Sequence, residues 1–200
     1  VSTDAEVRTK GARTRQRILD AGARVLRRNG YAGTRLSDIA EVAGLQTGSL
    51  AFHFPSKDEL LQEVLRHGMA VGLAQCRAAA DALGPDAGPD RRIVAAMHAH
   101  LDGLDDRNDY APALLRSLAQ FPARERQRFR DIDTAYLEFW RELLVDAQRA
   151  GLTDPALDPA LLARLLLGAL NATLGLPDLA PRERLVSTCM SMITDRTGGP

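Results

Sequence analysis

Aromatic residues are scarce in this chain of 200: one Trp, three Tyr and five Phe. β-Branched residues are thin as well, and no window alternates apolar with polar at a two-residue period, which argues against a strand-rich fold. The only two cysteines, Cys76 and Cys189, cannot make a disulfide framework and lack the paired spacing of a zinc or thiol redox motif. No apolar run reaches membrane-spanning length and nothing resembles a secretory leader, so the expected setting is a reducing cytoplasm, without a membrane partner. Glycine-rich phosphate loops and a nucleophile elbow are missing too. Net charge is absent: 26 Lys and Arg balance 26 Asp and Glu.

What is present is leucine, alanine and arginine at helical spacing, so the predicted fold class is all-α. The neutral sum hides an uneven distribution. Between Arg8 and Arg35 lie nine basic residues against one acid, Asp20, which suits a polyanion-binding head on a body with another task. An arginine-rich solvated helix face is the plainer alternative.

From Arg13 to Asn29 the positions Ile18, Leu19, Gly22, Val25 and Leu26 make one face of a helix, with Arg13, Arg17, Arg24 and Arg28 opposite and Gly30 as its C-cap. Residues 1–11 carry no apolar period and read as a flexible arm. The segment from Thr34 to Phe54 reads as two short helices around Gly44. Ile39, Ala40 and Ala43 line one side of the first, Leu45 and Leu50 hold the second against it, and Gln46, Thr47, Ser49 and His53 are left outward. That is helix-turn-helix geometry, whose second helix enters the DNA major groove. Pro55 ends it, and Ser56 with Glu59 is a capping box that opens a fourth helix.

The run Gly48-Ser49-Leu50-Ala51-Phe52-His53-Phe54-Pro55-Ser56-Lys57 resembles the signature of the TetR family of transcriptional repressors, with Ala51 where that family usually has tyrosine. The resemblance implies a three-helix DNA-binding domain over 12–56, or about 12–72 counting the start of helix four. A helical bundle for ligand binding and dimerisation follows over 57–200. It also implies that Gln46, Thr47, Gly48, Ser49, Ala51, Phe52 and His53 form the recognition helix. Gln46 and Thr47 suit base edges, whereas Ser49, His53 and Lys57, with Thr34, Arg35 and Ser37, suit phosphates.

Beyond Gly84-Pro85-Asp86-Ala87-Gly88-Pro89, further helices are expected at about 91–104, 110–120, 122–150, 159–176 and 182–194. Met69, Leu73, Met97, Leu101, Leu118, Phe121, Tyr136, Phe139, Trp140 and Asn171 are the candidate lining of an effector pocket. The C-terminal half is similar, over Asp133 to Arg141 and Arg164 to Asn171, to the branch of the family that responds to acyl-CoA thioesters. An acyl-CoA or another hydrophobic ligand is thus the implied effector. Helix eight is apolar almost all round, so it needs cover on several sides. Leu162, Leu166, Ala169, Leu170, Thr173, Leu185, Cys189 and Ile193 are the expected seam of a homodimer.

His98 and His100, two apart on one helix, are poor co-ligands, and neither metal, cofactor nor catalytic residue is expected. Three readings remain open on the residues. One is a repressor released from a pseudopalindromic operator by a small molecule, and the second an activator or effector-free DNA binder, which an apolar cavity would count against. The third is a helical-bundle enzyme or carrier, which would show no preference among duplex sequences.

Overall fold

The computed structural model describes the backbone of residues 4–105, 108–121, 123–175 and 181–194; the side chains of 4–10, 118, 124–126, 128–133 and 175 lie outside the description. Among the described residues there are nine α-helices and no strand. They are α1 (Asp4–Gly33), α2 (Leu36–Ala43), α3 (Thr47–His53), α4 (Lys57–Asp81), α5 (Pro89–Gly103), α6 (Tyr110–Ser117), α7 (Ala123–Arg149), α8 (Pro159–Asn171) and α9 (Arg182–Ile193). Single 3-10 turns extend α6 over Leu118–Gln120 and α8 over Ala172–Gly175. None of the described helices is long and apolar enough to cross a membrane.

Helix α1 begins at Asp4, so residues 4–11 are helical where a flexible arm is expected. Ala5, Glu6, Arg8 and Lys10 are good helix formers without an apolar stripe, and propensity carries the helix where periodicity is silent. At the other end Gly30 has φ 66° and ψ 176°, a backbone state open essentially to glycine alone, so the long first helix ends there, as expected, and a short helical turn continues to Gly33 across the kink.

The chain divides into two compact units, Val1–Met69 with Asp106–Arg130, and Ala70–Asp105 with Asp131–Pro200. The first therefore includes α6, which the sequence reading assigns to the C-terminal body. Its core is built from Ile18, Leu19 and Leu26 of α1, Ile39 of α2, Leu50 of α3 and Leu60 and Leu61 of α4, all at most 2% exposed. Burial at that level is worth about 1.5–3 kcal/mol per large aliphatic side chain, which is how helices as short as α2 and α3 hold their shape.

Helix α6 lies along α1 and is fastened at both ends. At its start Asp109 receives Arg24 at 3.3 Å and Arg27 at 3.2 Å, and the Tyr110 hydroxyl donates to Asp20 at 2.6 Å. At its end the Gln120 side-chain oxygen accepts the Tyr31 N–H at 3.0 Å, and Phe121 stacks on Tyr31 with ring centroids 4.4 Å apart.

In the second unit Ile93 and Met97 of α5, Trp140 and Leu144 of α7 and Leu170 of α8 are fully buried. Asp158 caps α8 by accepting the Ala160 N–H at 2.8 Å, with Pro159 in the first turn. The Gln148 amide donates to the carbonyls of Asp154 and Leu157 at 3.0 and 2.8 Å and pins the loop before α8. An ion pair between Arg182 and Asp102 ties α9 to α5.

Candidate nucleic-acid interface and ligand cluster

Helix α2 ends at Gly44, whose φ of 63° is left-handed. There the N–H groups of Leu45 and Gly44 bond the carbonyls of Ala40 and Glu41 at 2.9 and 3.0 Å, the paired closure of a glycine-terminated helix. A further orphan carbonyl, Ala43, accepts from the Arg17 guanidinium at 2.5 Å. This turn aims α3. Leu50 is fully buried and Phe54 is 4% exposed, so the helix is held by one side. Gln46, Thr47, Gly48, Ser49, Ala51 and Phe52 are all exposed, and His53 is half-buried with its ring edge-on to Phe52 at 5.6 Å. The Glu59 N–H donates to Ser56 Oγ at 3.2 Å, the expected capping contact at the start of α4.

Not every residue expected at phosphates has its side chain available. Thr34 is 2% exposed and its hydroxyl donates to the Gly30 carbonyl at 2.7 Å, so it braces the kink of α1 instead. Lys57 donates to the Tyr31 carbonyl at 3.1 Å and lies 4.5 Å from the centroid of the Tyr31 ring, a cation–π contact. Arg35 and Ser37 are exposed, as are Arg13 and Arg28.

The basic excess of α1 is smaller in space than in sequence. Asp109 sits against Arg24 and Arg27, and Glu63 against Arg15 at 2.9 Å. Arg66, then Arg15, hold the Glu63 carboxyl below its ordinary range against the opposing effect of burial.

In the second unit the candidate lining residues Met97, Leu101, Phe139 and Trp140 are buried, and Leu73, Tyr136 and Asn171 are half-buried. At their centre stands His100, which the sequence reading sets aside. Its Nδ1 is 2.7 Å from the Tyr136 hydroxyl and its Nε2 is 3.0 Å from Asn171 Oδ1. With Asn171 accepting, Nε2 carries the proton and Nδ1 accepts from Tyr136. Cys76 Sγ lies 3.4 Å from the same hydroxyl.

Burial holds the His100 imidazole down to about 4, against the opposing hydrogen bond to Asn171. Burial and the neighbouring Cys76 push the Tyr136 hydroxyl up, and burial pushes the Cys76 and Cys189 thiols up, away from the thiolate form. The indole N–H of Trp140 is buried near the Tyr136 hydroxyl without making a hydrogen bond. The sequence signal for His100 was its place on the stripe of Ile93, Ala96, Met97 and Leu101, where a polar residue must find buried partners.

Three other expected lining residues fall elsewhere. Met69 belongs to the first unit and is buried there, Phe121 packs on Tyr31, and the Leu118 side chain lies outside the described residues.

Half of the residues expected at the dimer seam are covered by the subunit itself. Leu166, Leu170, Cys189 and Ile193 are buried within the subunit, and Leu162, Ala169, Thr173 and Leu185 are half-buried. The outward apolar face carries Leu161, Leu165 and Met192, which are 55%, 63% and 72% exposed, beside Gly168, Ala172 and Thr188. Periodicity finds the apolar surplus of α8 but not which stripe the subunit itself uses.

The described residues hold no group of three or more His, Cys, Asp or Glu placed to bind a metal ion. Residues 18–64 match the model of the bacterial regulatory proteins of the tetR family, and residues 86–174 match a tetracyclin repressor-like C-terminal domain. The fatty acid metabolism regulator protein of Bacillus subtilis (strain 168) is 22% identical over 156 residues, 78% of this chain and 79% of its own. The HTH-type transcriptional regulator RutR of Escherichia coli (strain K12) is 36% identical over 89 residues, 42% of each chain. Among solved structures, AibR in complex with isovaleryl coenzyme A and operator DNA has a TM-score of 0.75 at 23% identity. That match covers 90% of this chain and 98% of the other. With a head and a body that match successive domains of one group of proteins, the chain belongs to the tetR family of bacterial regulatory proteins.

Proposed function

We propose that this protein is a homodimeric transcriptional repressor that binds a pseudopalindromic DNA operator and is released by a small hydrophobic effector, acting by binding and not by catalysis. The observation that carries this reading is α3, anchored by a fully buried Leu50 while Gln46 to Ser49, Ala51 and Phe52 face outward. Gln46 and Thr47 read base edges, while Arg35, Ser37, Ser49 and His53 contact phosphates, with the cytoplasm as the working compartment. Two such helices joined through the outward faces of α8 and α9 would meet half-sites about 34–36 Å apart, or a multiple of that.

The effector binds among α5, α7 and α8 near Tyr136, Trp140 and Asn171. The likeness to an acyl-CoA-bound regulator makes a coenzyme A thioester the first class to test. Helix α4, which belongs to both units, is the route by which occupancy reaches the head. A coupling of about 1–3 kcal/mol would weaken operator binding roughly 5- to 150-fold. The test is selection of bound duplexes from a random pool, followed by titration of the selected operator at fixed salt with isovaleryl- and stearoyl-CoA. Enrichment of an inverted repeat that an acyl-CoA releases is the expected result, and a bound pool without sequence preference refutes the reading.

A further inference from the structure

The ring of Phe52 is 88% exposed, while the other large apolar side chain of α3, Leu50, is fully buried. Single exposed apolar residues are common on proteins, so exposure alone assigns nothing. The neighbours make the difference. Gly48, one helical turn earlier on the same face, is exposed, and a Cβ built there would meet no atom within 4 Å, so internal packing does not require a glycine. Ala51, adjacent and exposed, also stays short. The Phe52 ring thus projects from a helix face whose neighbouring positions carry small groups, and the His53 ring meets it edge-on, with centroids 5.6 Å apart and planes at 87°. A ring without donor or acceptor cannot bond phosphates or base edges. The apolar feature that a major groove offers is the C5-methyl group of thymine.

We propose that Phe52 is a specificity-determining residue that reads thymine by packing its ring against the C5-methyl group, with Gly48 and Ala51 leaving room for the base pair to approach. The inference rests on the reading of α3 as a major-groove reader and adds the base that it prefers. Because Phe52 is 88% exposed, meets no ring but His53 among the described residues and carries no charge, its removal should leave the fold and the number of phosphate contacts intact.

The test uses the full-length protein and an operator taken from the random pool. Each thymine is replaced singly by deoxyuridine, which deletes the methyl group and keeps every hydrogen-bonding atom, and affinity is measured for wild type and Phe52→Ala at fixed salt. For wild type, at least one thymine per half-site should cost about 3- to 10-fold on replacement. Phe52→Ala should be weaker by a similar factor and indifferent to that replacement, with the same slope of affinity against salt and the same thermal midpoint. Wild type indifferent to every replacement, or Phe52→Ala keeping the full sensitivity, overturns the proposal while leaving the operator reading in place. A pool that enriches no sequence overturns both.

Discussion

Replacing Leu165 by glutamate should break the dimer while leaving the subunit folded. Leu165 is 63% exposed in the single chain, so about two-thirds of its apolar surface is still available for a partner to cover. Full burial of a leucine is worth about 1.5–3 kcal/mol, which leaves about 1–2 kcal/mol per copy for association. A two-fold interface contains the residue twice, so the loss is about 2–4 kcal/mol before the cost of burying a carboxylate. That corresponds to a dimer dissociation constant raised at least about 30- to 900-fold. Sedimentation velocity across a concentration series reads the shift directly, and circular dichroism checks that helix content and thermal midpoint of the diluted chain hold. Leu166→Glu is the control with the opposite signature: Leu166 is 4% exposed, so this change should unfold the subunit. If Leu165→Glu sediments as wild type, or if wild type is a monomer at tens of micromolar, the outward face of α8 is not the seam.

Gly30→Ala should cost about 2–4 kcal/mol, since the kink lies in a glycine-only backbone region and the new methyl would sit 2.7 Å from Gln120 Oε1, displacing its bond to the Tyr31 N–H. Urea unfolding measures it, and an unchanged midpoint would mean that the kink is not needed. The pH dependence of stability should carry the mark of His100. Its folded-state value of about 4 lies below the ordinary 6.5, so the unfolded chain takes up the proton first. Stability from this group is therefore complete above about pH 6.5 and is lost as pH falls through 4, an effect of about 1–3 kcal/mol. Urea midpoints between pH 7.5 and 4.5 should fall more steeply for wild type than for His100→Gln; parallel curves would refute the burial argument.

The DNA-facing half was largely legible because its signals are local. Gly44 announces the turn, Ser56 and Glu59 the next helix start, and the spacing of Ile39, Ala40, Ala43 and Leu50 the buried side. What escaped depends on partners distant in sequence. Arg24 and Arg27 look like unpaired cations until Asp109 arrives from α6, and Thr34 looks available until the kink at Gly30 turns a carbonyl toward it. The candidate lining residues divide between the two units, because Met69 and Phe121 are apolar in the same way as Met97 and Phe139 but belong to a different unit. Hydrophobicity states that a residue is covered, not by what. His100 shows the converse case, in which a polar residue on an apolar stripe is informative because it cannot be buried without named partners.

The clasp of α6 on α1 bears on how such regulators can be recombined. A hybrid that takes its reader from one protein and its sensor from another, spliced at residue 69, would leave behind Asp109, Tyr110 and Gln120, which fasten the first helix from forty or more positions downstream. The natural graft is discontinuous, with two separate stretches travelling together. For the same reason, a growing chain leaving the ribosome cannot finish its reader until the stretch through Gln120 has emerged, well after the fourth helix has begun to leave.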